Sequence, residues 1–285
     1  MTTVSELNVY PVKSMRGVPM QSVELWPTGF AWDRQWMTVD ATESFVTQRT
    51  HPQLARIQPS LDAESLTLHA EGFPALRVPL ETLGAPLSVQ VWRDTCSARD
   101  QGDAAAEWLS GVVGDALRLV RVAPEMQRRA DAKFTGPDAT PVSFVDGYPI
   151  LVCNSASLDE LNARMATPVP MTRFRPNIVL EGLPAFEEDR IAALCIDQVT
   201  LRLVKPCLRC VITSTDQQTG QRSTNPLPVL RKFRFNRELL GVAFGENAVI
   251  AAGVGQTLVR GARCRVQLES VGAQGGGLAA ARRAD

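Results

Sequence analysis

Histidine is scarce, with two residues in 285, and no second C-x-x-C accompanies Cys207 and Cys210. A closed zinc site, which needs four Cys or His ligands, is therefore not expected. Excess charge is missing too: 30 Lys and Arg balance 30 Asp and Glu. The basic residues are scattered rather than gathered in a tract, so no field favours a nucleic acid polymer as partner. Apolar stretches such as 248–255 are far too short to span a bilayer, and no basic segment followed by a continuous apolar run opens the chain. No membrane insertion is expected, and the expected location is cytoplasmic. No G-x-G-x-x-G follows a strand pattern, and no cysteine group suits an iron–sulfur cluster, so NAD, flavin and iron–sulfur centres are not expected in this chain. The six cysteines (Cys96, Cys153, Cys195, Cys207, Cys210 and Cys264) are irregularly spaced. They read as mostly buried thiols, not as a disulfide framework.

What is present suffices for a substantial core: hydrophobic residues make up 45% of the chain, enough for one large domain or two ordinary ones. Within 1–98, short runs rich in Val, Leu, Trp and Thr at 22–26, 35–39, 45–49, 66–69, 76–80 and 87–92 alternate with Pro, Gly and Asp. That spacing predicts an antiparallel, barrel-like sheet. Residues 99–125 read as a helical connector in which Asp103 caps a helix, Trp108, Leu109 and Val112 share a face, and Gly114 marks the end. Residues 126–270 mix both periods. Ser157 and Glu160 form a capping-box pattern ahead of Leu158, Leu161 and Met165, which sets Asn154 and Ser155 near a helix N-terminus that favours anions. Strands are expected at 177–180, 199–204, 247–252 and 263–269, and a short helix and loop between 217 and 241, where Pro226 and Pro228 lie. The Gly-rich, then Ala/Arg-rich segment 271–285 reads as a disordered tail.

Chemistry concentrates in 205–220, K-P-C-L-R-C-V-I-T-S-T-D-Q-Q-T-G. Val199, Leu201 and Leu203 alternate before it and hydroxyl residues follow it, which is not the strand-to-helix setting of a thioredoxin-type dithiol. The remaining reading is one thiolate on a metal whose other ligands come from elsewhere, with Arg209 placed to lower a thiol pKa. Spacing alone does not separate Cys207 from Cys210. Asp216 is the carboxylate nearest the motif, fit either to relay protons or to anchor the turn leading to Gly220. Arg173, Arg175 and Asn177 alternate along a segment read as extended, so all three are expected on one face with Phe174 on the other.

This run resembles the signature of MOSC-domain proteins like the mitochondrial amidoxime-reducing component and its bacterial relatives. Three further blocks match in the same order: V-Y-P-V-K-S-M-R-G at 9–17, D-R-Q-W at 33–36 and R-F-R-P-N at 173–177. The resemblance implies an α+β, β-rich fold, with an N-terminal antiparallel β-barrel-like domain and a mixed β-barrel MOSC domain with peripheral helices. It implies a molybdenum–molybdopterin cofactor with Cys210 on the metal. Lys13, Ser14 and Arg34 would face its phosphate. Arg173, Arg175 and Asn177 would form a polar floor, and Leu208 and Arg209 would line the metal pocket. Asn154 and Ser155, by their place before the helix, are set to touch pterin or phosphate, although there the sequence departs from the family's Ser-Glu-Ala-Ser-like run. The implied activity is reduction of small N-hydroxylated substrates (amidoximes, hydroxamic acids and N-hydroxylated nucleobases), with Cys210 and Asp216 as catalytic residues. Eukaryotic members carry a membrane anchor ahead of the first block, where this sequence begins. Some bacterial members carry a fused ferredoxin domain where it stops, so the resemblance implies a separate ferredoxin, flavoprotein or cytochrome. MOSC domains also occur in cofactor sulfurases, so a non-catalytic carrier of cofactor, or of sulfur as a Cys210 persulfide, is the alternative.

Overall fold

Seven strands close on themselves into a barrel in the computed structural model, which describes residues 1–81 and 84–269. They are β1 (Thr2–Val9), β2 (Ile150–Asn154), β3 (Ile178–Glu181), β4 (Ile191–Ile196), β5 (Val199–Leu208), β6 (Gly241–Ala252) and β7 (Arg263–Leu268). Their order round the wall is β2-β3-β1-β7-β4-β5-β6, and β6 pairs with β2 to complete the ring. β2 and β3 are parallel, while the other neighbours are antiparallel. A parallel pair needs a crossover connection, and the helix Ser155–Asn162 lies within it. Val4, Ile150, Val152, Ile178, Leu180, Leu194, Ile196 and Leu201 share the barrel's main core. Leu151, Cys153 and Val179 pack on the other side against Leu161, Phe174, Leu230 and Phe244. β2 and β3 are thus buried on both faces, which makes I-L-V-C-N and I-V-L-E continuous apolar runs without alternation.

The chain is β-rich as expected, and the antiparallel sheets of its first half are present. Trp36–Val39, Arg118–Val122, Asp94–Asp100 and Ala85–Val91 form one antiparallel sheet in that order. Gln58–Leu61, Ser65–His69 and Leu76–Pro79 form another. Trp36, Leu54, Leu66, Leu68, Leu109 and Leu119 fill the space between them and the helix Asp103–Val113. Three stretches carry structure beyond the sequence reading. β1, read as part of the first domain, is a stave of the barrel. The segment read as a helical connector also supplies the strand Arg118–Val122. Within the stretch 45–49 only Phe45 makes an isolated bridge, with Ser44 making another just before it, because the Thr47 carbonyl accepts the N–H groups of Thr50 and His51 and turns the chain.

Helix ends depart from the sequence reading as well. Gly102 occupies the N-cap of the first helix and no side chain caps it; Asp103 instead accepts from Arg118 Nη2 at 2.9 Å. Gly114 ends that helix at φ +81, as expected of a left-handed C-cap. Asn154, not Ser157, caps the second helix, its Oδ1 accepting from Ala156 N at 3.3 Å. Ser157 lies inside the helix, where its hydroxyl donates to Glu188 Oε2 at 2.8 Å and accepts from Phe186 N at 2.7 Å. The segment 271–285, read as a disordered tail, lies outside the described residues. No helix among the described residues is long and apolar enough to cross a membrane.

Glu188 is fully buried, and burial raises its pKa from the usual 4.5 to about 7. An unfolded chain releases this proton near 4.5. Between about 4.5 and 7 the folded state therefore keeps a proton that the unfolded state has lost, and stability falls as pH rises through that window. Buried Glu246, raised by burial and by its acidic neighbours, acts in the same direction. Glu188→Gln is expected to lessen the decline between pH 5 and 7.5 in urea unfolding. An unchanged pH slope contradicts the assignment.

Candidate functional site

The chain leaves β1 at Val9 and crosses the end of the barrel beside residues 33–36. Tyr10 N donates to Asp33 Oδ1 at 2.8 Å, Arg34 N to the Tyr10 carbonyl at 2.8 Å, and Lys13 N to the Trp36 carbonyl at 2.7 Å. The first two sequence blocks are thereby laced together. Ser14 and Arg34 both have left-handed backbones, at φ +67 and +48, an uncommon conformation that the surrounding hydrogen bonds must hold. The Arg34 and Arg175 guanidinium carbons lie 4.2 and 4.3 Å from the Tyr10 ring centroid. A Cβ on Gly17 would fall 2.6 Å from Tyr10 Cε1, so the glycine at this position makes room for the ring.

Two arginines at one ring need opposing charge or acceptors. Arg34 pairs with buried Asp33 and donates to Asn177 Oδ1 at 3.1 Å. Arg175 Nη1 donates to the Met15 carbonyl at 2.7 Å and to Gln217 Oε1 at 3.1 Å, and burial lowers its pKa to about 10. Gln217 in turn exchanges two amide hydrogen bonds with buried Gln48, at 3.0 and 2.9 Å. Asn177 is fixed by Leu151 N, which donates to its Oδ1 at 3.1 Å, and by the Asn8 carbonyl, which accepts from its Nδ2 at 3.2 Å. Lys13 Nζ donates to the Phe144 carbonyl at 2.8 Å and reaches Asp146 at 2.5 Å. Burial lowers the Lys13 pKa, and Asp146 opposes that shift.

The cysteine motif spans the end of β5. Cys210 precedes a short turn, Val211–Ser214, and its carbonyl accepts from Thr213 N and Oγ1. Arg209 donates through Nη1 to Cys207 Sγ at 2.9 Å and through Nη2 to the Phe174 carbonyl at 2.6 Å. Its Nε is buried without a partner. The arginine thus acts on Cys207, where burial nonetheless raises the thiol pKa.

These elements enclose a cleft of about 320 Å³. Lys13, Ser14, Arg34, Arg175, Asn177, Leu208, Arg209 and Cys210 all line it, and Cys207 lies beside them. Its walls hold six cationic side chains, Lys13, Arg34, Arg49, Arg175, Lys205 and Arg209, against the single carboxylate Asp146. Such a cleft attracts anions, and its two thiols suit a soft metal.

Four other candidates lie outside the lining. Asn154 is consumed by helix capping and by donating to the Pro184 carbonyl at 2.7 Å. Ser155 starts the same helix. Arg173 sits in a short turn, Met171–Arg173, with left-handed Arg175 after it, so the three polar residues of that block do not share one strand face. Its guanidinium reaches Asp216 at 3.2 Å and Ser223 at 2.9 Å. Asp216 Oδ1 accepts from Thr219 N and Gln218 N, both at 2.9 Å. These backbone bonds, Thr219 first, lower its pKa, so Asp216 is held ionised as a turn anchor. Sequence reading missed Arg49, Asp146, Tyr148, Lys205 and Asn247 in the lining. Of these, Lys205 opens the 205–220 run, and the Asp146-Gly147 pair carried the signal of a turn.

Two family models match the chain: a MOSC N-terminal beta barrel domain over residues 1–116 and a MOSC domain over residues 139–271. The mitochondrial amidoxime reducing component 2 of Bos taurus is 35% identical over 242 residues, which cover 81% of this chain and 72% of that protein. The mitochondrial amidoxime-reducing component 1 of Homo sapiens is 34% identical over the same shares. A molybdenum cofactor sulfurase of Drosophila grimshawi is 33% identical over 83% of this chain but 31% of its own length.

If Gly17 exists to seat Tyr10, Gly17→Ala must displace the ring and the two guanidinium groups against it. A loss of roughly 1–3 kcal/mol in urea-measured stability is expected, as for overpacking of a filled site. Gly147→Ala, where a Cβ meets nothing within 4 Å, should stay within about 0.5 kcal/mol of the parent. Equal effects at the two glycines would contradict the steric role.

Proposed function

Because the chain belongs to the MOSC-domain family, we propose that the cleft binds a molybdenum cofactor and that the protein is an oxidoreductase reducing N-hydroxylated compounds. One observation carries this reading: residues from all four sequence blocks, separated by up to two hundred positions, converge on one basic cleft with two thiols. The donor set fits the group. Lys13, Ser14 and Arg34 suit a phosphate, Arg175 and Asn177 suit the polar edge of a pterin, and the Arg209 Nε lacks a partner. Cys210 at the end of β5 is the residue we assign to the metal, with Arg209 and the Leu208 backbone beside it.

When bound, the cofactor supplies a metal that cycles between Mo(VI) and Mo(IV) and so carries the electron pair. The reaction takes two electrons and two protons, turning N–OH into N–H and releasing water. Substrates are small amidoximes, hydroxamic acids or N-hydroxylated nucleobases. Asp146, set against Lys13 and Arg49, is a poor proton donor. Partial desolvation of the carboxyl, whose side chain is 59% exposed, works to raise its pKa, but the two cations hold it well below the usual range. Protons then enter from solvent at the open side of the cleft. Electrons come from a separate ferredoxin, flavoprotein or cytochrome. Six free cysteines suit a reducing compartment and support a cytoplasmic setting.

The likeness to a cofactor sulfurase favours one second reading, a carrier of cofactor or of sulfur on Cys210. Molybdenum content measured together with anaerobic, viologen-driven reduction of benzamidoxime separates the two. Metal with turnover supports the reductase; metal without turnover supports the carrier. Cys210→Ser is expected to abolish turnover and Cys207→Ser to retain it, and the reverse pattern would assign the metal to Cys207. Arg34→Ala should lower molybdenum occupancy while sparing turnover per bound metal. A charge-assisted contact worth roughly 1.5–3 kcal/mol corresponds to about 10- to 150-fold weaker retention. Full occupancy in that variant would remove Arg34 from the phosphate contacts.

A further inference from the structure

The hairpin that leads into β6, beside Leu208 at the edge of the cleft, carries side chains that are exposed among the described residues. Phe235 pairs with Val242 and Asn236 with Gly241, so residues 237–240 form the connecting turn. Leu240 is 79% exposed, and its backbone is left-handed at φ +51, a strained placement for a leucine. Phe235 and Leu208 are each 38% exposed. Leu208 packs over Gly241, where a Cβ would lie 2.9 Å from its Cδ1. Among the described residues, Leu208 is the exposed large apolar side chain that also lines the cleft.

Charge surrounds this apolar spot. Arg231, Lys232 and Arg237 are exposed, and the Arg231 guanidinium lies 5.1 Å from the Phe235 ring centroid. None of the three enters an ion pair among the described residues, whereas Arg234 is occupied by Asp189. Glu238 is the one acid of the turn.

We propose that this edge is the docking site of an acidic, one-electron carrier of the ferredoxin class, whose apolar patch meets Leu240, Phe235 and Leu208 while its carboxylates meet Arg231, Lys232 and Arg237. The inference rests on the redox reading of the cleft. Cys210 is two residues from Leu208, a chain length of at most about 7 Å, so a carrier seated here lies beside the thiolate that reading assigns to the metal. Each docking delivers one electron. Two reduced carriers are oxidised, and two protons taken up, for each N–OH converted to N–H and water. Complementary charge of this kind steers a weak, transient encounter.

The test uses the metal-loaded enzyme with benzamidoxime and two donors: reduced methyl viologen, and a plant-type ferredoxin with its NADPH-dependent reductase. In Leu240→Asp and in the double variant Lys232→Glu/Arg237→Glu, viologen-driven kcat should stay within about twofold, since surface changes away from the cleft perturb the fold little. KM for ferredoxin should rise at least tenfold, and its increase with salt should be shallower in the double variant. A ferredoxin KM unchanged in both variants overturns the proposal. So does a wild-type enzyme active with viologen that accepts no electrons from ferredoxin. If viologen drives no turnover in the wild type, the redox reading itself fails. Interferometry with immobilised ferredoxin then decides separately: binding weakened by both variants supports the docking surface, and binding unaffected by them refutes it.

Discussion

The hydrogen bonds that hold β1 between β3 and β7 determine where every functional group can be. A strand from the first ten residues closes a barrel otherwise built after residue 150. Its exit at Val9 therefore delivers Tyr10, Lys13 and Ser14 to the same barrel end as Asn177, which follows the turn into β3, and Cys207–Cys210, which end β5. Residues 33–36 follow because their backbone pairs with 10–13. Without that closure the four motif blocks have no reason to meet.

Having met, they create an electrostatic problem that is left unsolved by protein groups alone. Asp33 offsets Arg34, Asp146 offsets Lys13, and carbonyls accept from Arg175 and Arg209. Contacts of guanidinium with the Tyr10 ring contribute about 0.5–2 kcal/mol each, which does not cancel the desolvation of several charges. A surplus of positive charge remains on the cleft wall. An anionic ligand relieves it, which is why the cleft reads as a binding site rather than as a structural ion-pair network.

Much of this was legible in the sequence where local chemistry decides the structure. The run 22–26 alternates and is a strand over those residues; Gly114 ends its helix as glycine does. Lys13, Arg34, Asn177 and Cys210 were recognisable because they occur in contiguous blocks. β2 was missed because burial of both faces removes the alternation that reveals a strand, and β4 because Ala192, Ala193 and Cys195 put apolar residues on its half-buried face too. The block 173–177 was read as extended, yet tertiary contacts hold Arg175 in a left-handed backbone that no pattern of residue types announces. Ser157 looked like a cap and became the partner of a buried acid 31 residues away. Arg49 and Asn247 reach the cleft as single residues from separate elements, so only the assembled fold brings them together, whereas Lys205 heads the cysteine motif itself.

Everything proposed for the cleft turns on Cys210, two residues past the end of β5, being the residue that would hold molybdenum. X-ray absorption at the molybdenum edge tests it without relying on turnover. Comparison of the parent protein with Cys210→Ser and Cys207→Ser, each measured on its bound metal, should show one sulfur neighbour lost in the first variant and none in the second. Loss of that sulfur in Cys207→Ser, or an unchanged sulfur count in Cys210→Ser, would contradict the claim.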